Sequence, residues 1–552
     1  MNASSDRRWR WQCIPLIGCL AATAPAWPQA TPLVAPDAPA EAPASRPEGP
    51  RLRVTGFQVQ GNTLLPAEQV QAALAPHAGQ RTAEELQRAA ATLQALYAQA
   101  GYGGVVAFVA PQSAADGVVT ITVVEGRLAQ VTVSGQRQFS EANVRASLPA
   151  LAEGQTPRLN QLDAQVSMAN ENPAKQLQVL LQPGAGPGQT DARVTVAEQP
   201  VQRWTATLDN RGNHRTGQLR ASLGWQHANL SDRDDALTLN AQTAPDKPSA
   251  VKVLSGSYRL PLYAQRSFFD AYAAWSDVDG GTTSTLAGAL SFAGRGRLAG
   301  VRGTLLLPRW GEADQRLALA LDYRAYLNSC EIAGLPPGAC GPAGESVSVQ
   351  PLSLEYSVQR PGAVALGLAI GLHHNLQLGG GHARSSQFEA VRAGAEPHFT
   401  ALRGTVFVGG QPLEGWDLQL RAAGQFTDDA MVPGEQFGVG GVASVRGYRE
   451  RELAGDRGLQ ATLELAGPEL LRSGGSATLR ALGFFDAGWV ANRAGLPCEG
   501  NRDECSLRAA GLGLRGSVGR WQAQLYLAQA FKAAPQTDRH DWRAHVAVST
   551  SF

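Results

Sequence analysis

Residues 542–552, WRAHVAVSTSF, alternate between two kinds of side chain. Trp542, Ala544, Val546, Val548, Thr550 and Phe552 suit a hydrocarbon surface. Arg543, His545, Ala547, Ser549 and Ser551 suit a wet one. A period of two with one apolar and one polar face marks a half-buried β-strand, because successive side chains leave opposite sides of the backbone. An apolar outer face that ends on an aromatic residue predicts a strand of a transmembrane β-barrel.

The same character extends back to Pro200. Residues 201–552 read as about 16 alternating stretches of roughly 22 residues each, connection included, a workable size for a membrane-spanning barrel. Clear examples are 459–465, 510–514 and 521–527. Tight connections (360–362, 516–519) alternate with long ones (326–346, 428–456, 491–507), as short periplasmic turns and long outer loops would. No stretch approaches the roughly 20 apolar residues of a spanning helix. A membrane protein without such helices has to close a barrel, since only closure pairs every backbone group in lipid. Outer-membrane lipid is therefore an expected partner, and Phe552 is expected to be the signal read by the barrel-assembly machinery.

The chain holds 48 basic and 47 acidic residues, so no basic field points to nucleic acid. Residues 1–26 read as an export signal: Arg7, Arg8 and Arg10, a broken apolar stretch, then Ala24-Pro25-Ala26. Leu16-Ile17-Gly18-Cys19 also resembles a lipoprotein cleavage box. Residues 27–50 are rich in Pro and Ala and are expected to be extended. Residues 51–126 then read as an α+β unit: a strand at Phe57 and Val59, a helix over 66–74, and a second helix with a Thr82/Glu85 capping box. Two strands follow, at 105–109 and 118–124. The order strand, helix, helix, strand, strand restarts in 127–200, with elements predicted at 131–134, 141–148, 159–169, 177–181 and 193–197. Two such units of roughly 70 residues form an internal repeat.

Four cysteines remain beyond the signal, Cys330 with Cys340 and Cys498 with Cys505. In an exported chain, each close pair reads as a disulfide-closed loop. No histidine stands at ligand spacing beside either pair, so no metal is expected. His373-His374 reads as a lumenal or loop pair. No nucleophile, base and orienting acid can be assembled, and no phosphate-binding loop is present, so neither an enzyme nor a cofactor is expected.

The long connection 428–456 contains Gly440-Gly441 followed by Val445-Arg446-Gly447-Tyr448. Farther on stands Gly483-Phe484-Phe485-Asp486-Ala487-Gly488. Parity puts Phe484, Asp486 and Gly488 on one face of a strand and Phe485 and Trp489 on the other. With these two motifs in this order, the chain resembles the outer-membrane transporters of two-partner secretion, the haemolysin-activator and filamentous-haemagglutinin transporter family. The four residues from Val445 match the tip of that family's sixth outer loop. Phe485, Asp486 and Gly488 resemble its acidic motif on the thirteenth strand. The resemblance implies that loop six folds into the barrel and that its arginine meets the wall acid. It also implies that the two amino-terminal units are periplasmic polypeptide-transport-associated (POTRA) domains, and 177–198 resembles the end of the second.

The function implied is capture of an unfolded exported partner, through its amino-terminal secretion domain, and passage through the barrel to the cell surface. An adhesin, a haemolysin or a contact-dependent toxin all fit as client. The alternative is a factor that inserts other barrels into the outer membrane, although such factors usually carry more POTRA units.

Overall fold

The computed structural model describes residues 51–112, 116–214, 216–277, 281–285, 288–292, 295–327, 345–473, 477–493, 496–498 and 500–552. The expected export signal, the Pro/Ala-rich segment, and Cys330 and Cys340 lie outside them. The chain forms two compact units, one periplasmic and one a barrel.

In the first periplasmic domain, Gly56–Gln60 pairs in parallel with Val118–Glu125, which pairs antiparallel with Val105–Phe108. Helices Ala67–Leu74 and Ala83–Gln99 bury Val70, Leu74, Leu86, Leu93 and Tyr97 in its core. The longer helix starts where Thr82 Oγ1 accepts the Glu85 N–H (3.3 Å) and the Glu85 carboxylate accepts the Thr82 N–H (2.8 Å). The second domain repeats the plan with strands Arg127–Ser134, Gln189–Glu198 and Lys175–Pro183 and helices Glu141–Ser147 and Leu159–Ala169. A ribbon of Leu52–Val54 with Gly79–Arg81 was not foreseen, because strands of three residues carry no readable period.

The repeat goes deeper than the order of elements. Gly61 has φ +85° and its missing Cβ would stand 2.2 Å from the Val123 carbonyl oxygen. Gly135 has φ +92° and would stand 2.4 Å from that of Val196. In both places a side chain fails sterically as well as conformationally, so glycine is required. Two residues beyond each valine a glutamate ends the strand. Glu125 accepts the N–H groups of Thr63 (2.7 Å) and Leu64 (3.0 Å). Glu198 accepts those of Arg137 (2.9 Å), Gln138 (2.9 Å) and Phe139 (3.2 Å). Each carboxylate thus ties the turn after the first strand to the end of the last.

Sixteen antiparallel strands close the barrel, from Gln202–Asp209 to Trp542–Ser551. Val347–Val349 and Pro351–Arg360 both pair with Ala313–Leu327 and together make the interrupted eighth strand. The last strand meets the first from Ala547↔Asp209 to Ser551↔Thr205. Trp204 and Phe552 extend this seam by exchanging N–H···O bonds of 2.8 and 3.0 Å. Phe552 remains 58% exposed, on the outer face. Thr550, expected on that face too, is only 8% exposed and lies opposite Trp521 in the register, a ring large enough to shield it.

Alternation sorts the remainder. Leu459, Leu463 and Leu465 point outward from the twelfth strand, Arg457–Ser473, whereas Glu464 is buried inside. Lipid solvates the leucines and the lumen accommodates the acid. Since the first strand follows the periplasmic domains, the long connections 376–399, 427–456 and 492–503 fall on the outer side. The tight ones, 361–363, 414–415 and 519–520, face the periplasm.

Candidate functional site

The connection between the eleventh strand, Trp416–Phe426, and the twelfth is loop six of the outer side. Phe437–Val439 pairs with Leu453–Gly455, so the loop is a hairpin with its tip at 440–452. Gly440 and Gly441 turn the tip at φ +110° and +99°, where a Cβ on Gly440 would reach the Arg449 carbonyl oxygen at 2.5 Å. The Glu452 carboxylate then gathers the Arg449 N–H (2.7 Å), the Gln536 N–H (2.8 Å) and the Thr537 hydroxyl (2.7 Å). That clamp fixes the tip against the last outer connection.

Inside the barrel the tip places Arg446 on Asp486 of the thirteenth strand, Ala477–Ala491. Nε donates to Asp486 Oδ2 at 2.7 Å and Nη2 to Oδ1 at 2.8 Å, a bidentate pair. The Arg446 backbone N–H donates to the same carboxylate at 3.0 Å. The free edge of the guanidinium reaches Glu464 Oε2 at 3.2 Å. Arg515 of the fourteenth strand, Glu504–Val518, holds Glu464 in turn through contacts of 2.6 and 2.9 Å. The Phe484 ring lies flat under the cation, with Cζ 3.4 Å from its centroid, and Tyr526 flanks it at 5.1 Å. Phe484 and Tyr526 meet edge to face at 6.0 Å.

Arg446 is 4% exposed and Asp486 fully buried, so neither charge has bulk water to replace its partner. A planar fork gripped by one carboxylate, touched by a second at its edge and covered by the Phe484 ring is a site shaped for arginine. Lysine, a point charge without a fork, could not fill it.

The neighbours of Arg446 complete the seat. Val445 packs into a buried cluster with Val439, Val490 and Leu507. Gly488 makes room for it: a Cβ there would come 2.9 Å from Val445 Cγ2 and 3.0 Å from Val439 Cβ. The Gly447 N–H donates to His545 Nε2 at 3.1 Å. The Tyr448 hydroxyl lies 3.0 Å from the Arg508 carbonyl and 2.9 Å from that of Lys532. Three consecutive tip residues therefore touch the twelfth to sixteenth strands. Phe485 points the other way, 44% exposed on the outer face.

Two further acids hold the limbs of the loop. Glu435 sits among Arg324, Arg403 and Tyr326 at 2.7–3.0 Å. Asp456 binds Arg392 and the N–H groups of Met431 (2.8 Å) and Arg493 (3.0 Å). Cys498 and Cys505 are joined in a disulfide at the outer end of the thirteenth and fourteenth strands. His373 and His374 lie on opposite faces, bonded to Ser353 and Thr400 respectively.

The motifs do not contain Glu464, Arg515, Tyr526 or His545. Strand parity was the available signal for them, because a charged or polar-tipped residue within a spanning strand has to face the lumen. It gives the face but not the partner.

A sixteen-stranded barrel in the outer membrane, tandem POTRA domains and a loop seated in the lumen define the class of POTRA-bearing outer-membrane barrels. The profile of the haemolysin secretion/activation protein family ShlB/FhaC/HecB matches residues 188–516, and the chain belongs to that family. A POTRA domain of the ShlB type matches residues 52–126. The outer membrane transporter CdiB of Dickeya dadantii (strain 3937) is 24% identical over 393 residues, 66% of this chain and 62% of that protein's length. CdiB from Escherichia coli shares the fold with a TM-score of 0.78 at 19% identity, covering 93% of each chain. CdiB from Acinetobacter baumannii superposes with a TM-score of 0.69 at 18% identity, over 92% of this chain and 91% of that one.

Proposed function

We propose that this protein exports a partner protein across the outer membrane, with the barrel as conduit, the POTRA tandem as receptor and loop six as gate. The Arg446–Asp486–Glu464 cluster carries the reading. A structural plug could be held by apolar packing at less desolvation cost, because a buried ion pair is weak support for stability alone. A bidentate polar seat suits a loop that has one defined resting position and a second state to move to.

The receptor role rests on strands that lie at sheet edges. Val105–Phe108 and Lys175–Pro183 each end a three-stranded sheet. Val106 and Leu180 on them are 51% and 60% exposed. An extended client can add a strand there, with backbone hydrogen bonds giving affinity that tolerates sequence. Folding of the client outside the cell would supply direction.

Deleting the gene and quantifying outer-membrane and medium proteins tests the proposal. Loss of one large exported protein with normal levels of other barrels is expected. Depletion of many barrels would instead make the protein an assembly factor.

A further inference from the structure

Loop six is held at its base by a neighbouring loop as well as by the barrel wall. The connection 376–399, loop five, carries a helix, Ser385–Val391. Arg392, next after it, donates to both Asp456 and the Met431 carbonyl, and reaches Asn492 Oδ1 at 3.1 Å. Arg392 and Asp456 side chains are 11% and 2% exposed. Beside this pair, Phe388, Ala395 and Phe399 of loop five bury in one cluster with Met431 and Val432 of loop six and with Val347, Val349 and Ala401 of the barrel wall. Ala395 and Ala430 form a parallel β-bridge across the contact.

A seven-residue helix is marginal in isolation, so its folded form depends on what it packs against. If the base of loop six moved alone, Phe388 would lose the part of its cover that Met431 and Val432 supply, and Arg392 would remain half-buried without Asp456 and the Met431 carbonyl. Burying an unpaired charge is strongly unfavourable. The two loops therefore share one equilibrium. We infer that residues 384–399 are a latch on the outer end of loop six, which has to release residues 430–432 and Asp456 before the tip can leave the lumen. This rests on the gate reading above and adds a control point reachable from outside the cell.

Ala395→Cys with Ala430→Cys tests it. Paired backbones lie about 4.7–4.9 Å apart, inside the Cα span of a disulfide. Full-length protein is placed in planar bilayers in KCl, with bond formation verified by mass spectrometry. In a background with Cys330, Cys340, Cys498 and Cys505 replaced by serine, oxidation is expected to cut the frequency of channel openings about ten-fold or more, and reductant to restore it, while the background protein alone responds to neither. Arg392→Ala is expected to raise opening frequency roughly ten-fold, the scale of a hydrogen-bonded charge. Unchanged openings in the cross-linked protein, with Arg446→Ala altered in the same bilayers, would overturn the latch alone. Unchanged openings in Arg446→Ala would remove the gate, and the latch with it.

Discussion

The tip and the base of loop six are both closed by an arginine on an aspartate, yet their surroundings differ. At the tip, Arg446 meets Asp486 and Glu464 on strands of the wall, each paired on both sides within a closed sheet. At the base, Asp456 meets Arg392 from a loop whose short helix packs partly on loop six and partly on the wall. A wall acceptor stays in place when the loop departs, so the tip can reseat. A donor on a neighbouring loop departs or refolds with its partner. The tip is therefore a register mark and the base a coupled hinge.

The largest expected effect lies at the tip. Arg446→Ala leaves Asp486 buried without a cation, and Asp486→Ala leaves the guanidinium short of its bidentate acceptor, changes on the scale of about 3–5 kcal/mol. Export of the protein lost in the deletion strain should fall at least ten-fold in either variant. Folded barrel is quantified by heat-modifiable migration on gels. Glu464→Gln should cost less, roughly two- to five-fold, because Asp486 keeps all three of its hydrogen bonds from Arg446 and a neutral amide still offers Nη1 an oxygen. Tyr448→Phe removes the hydroxyl between two carbonyls at a cost of about 1 kcal/mol. It should mildly increase protease cleavage within 440–452 without abolishing export.

The smallest effect serves as a control away from the loop. Burial opposes ionisation of Glu125, but hydrogen bonds from the Thr63 side chain and N–H, from Tyr97 and from the Leu64 N–H outweigh it and hold its carboxyl below the usual range. A lowered folded pKa gives stability that is present above the unfolded value and lost as pH falls through the folded one. The thermal transition of the periplasmic unit should thus drop as pH falls through and below the usual glutamate range in the wild type and drop less in Glu125→Gln. Channel openings of the two should match.

The barrel was legible because lipid and lumen impose a period of two on every strand, and residues 542–552 display it with few exceptions. The repeat of the POTRA domains was legible as an order of elements, and the helix at 159–169 begins and ends where its apolar pattern does. The glycine–glutamate device that makes the two turns alike was not read, since Gly61 and Glu125 lie far apart in sequence and meet only through the sheet. At the site, the two motifs supplied Arg446 and Asp486, which the fold brings together. Glu464 and Arg515 were visible only as inward-facing charges. The loop-five helix escaped altogether, because seven residues holding one buried aromatic, Phe388, make no periodic face.

A double-mutant cycle on export tests the central claim most directly. Arg446→Ala, Asp486→Ala and the double variant are compared in the deletion strain at matched levels of folded barrel. If the two residues act as one seat, the double variant exports no less than either single one. Losses that multiply, with the double variant far below both, would show that Arg446 and Asp486 act separately and would contradict the docked-tip gate.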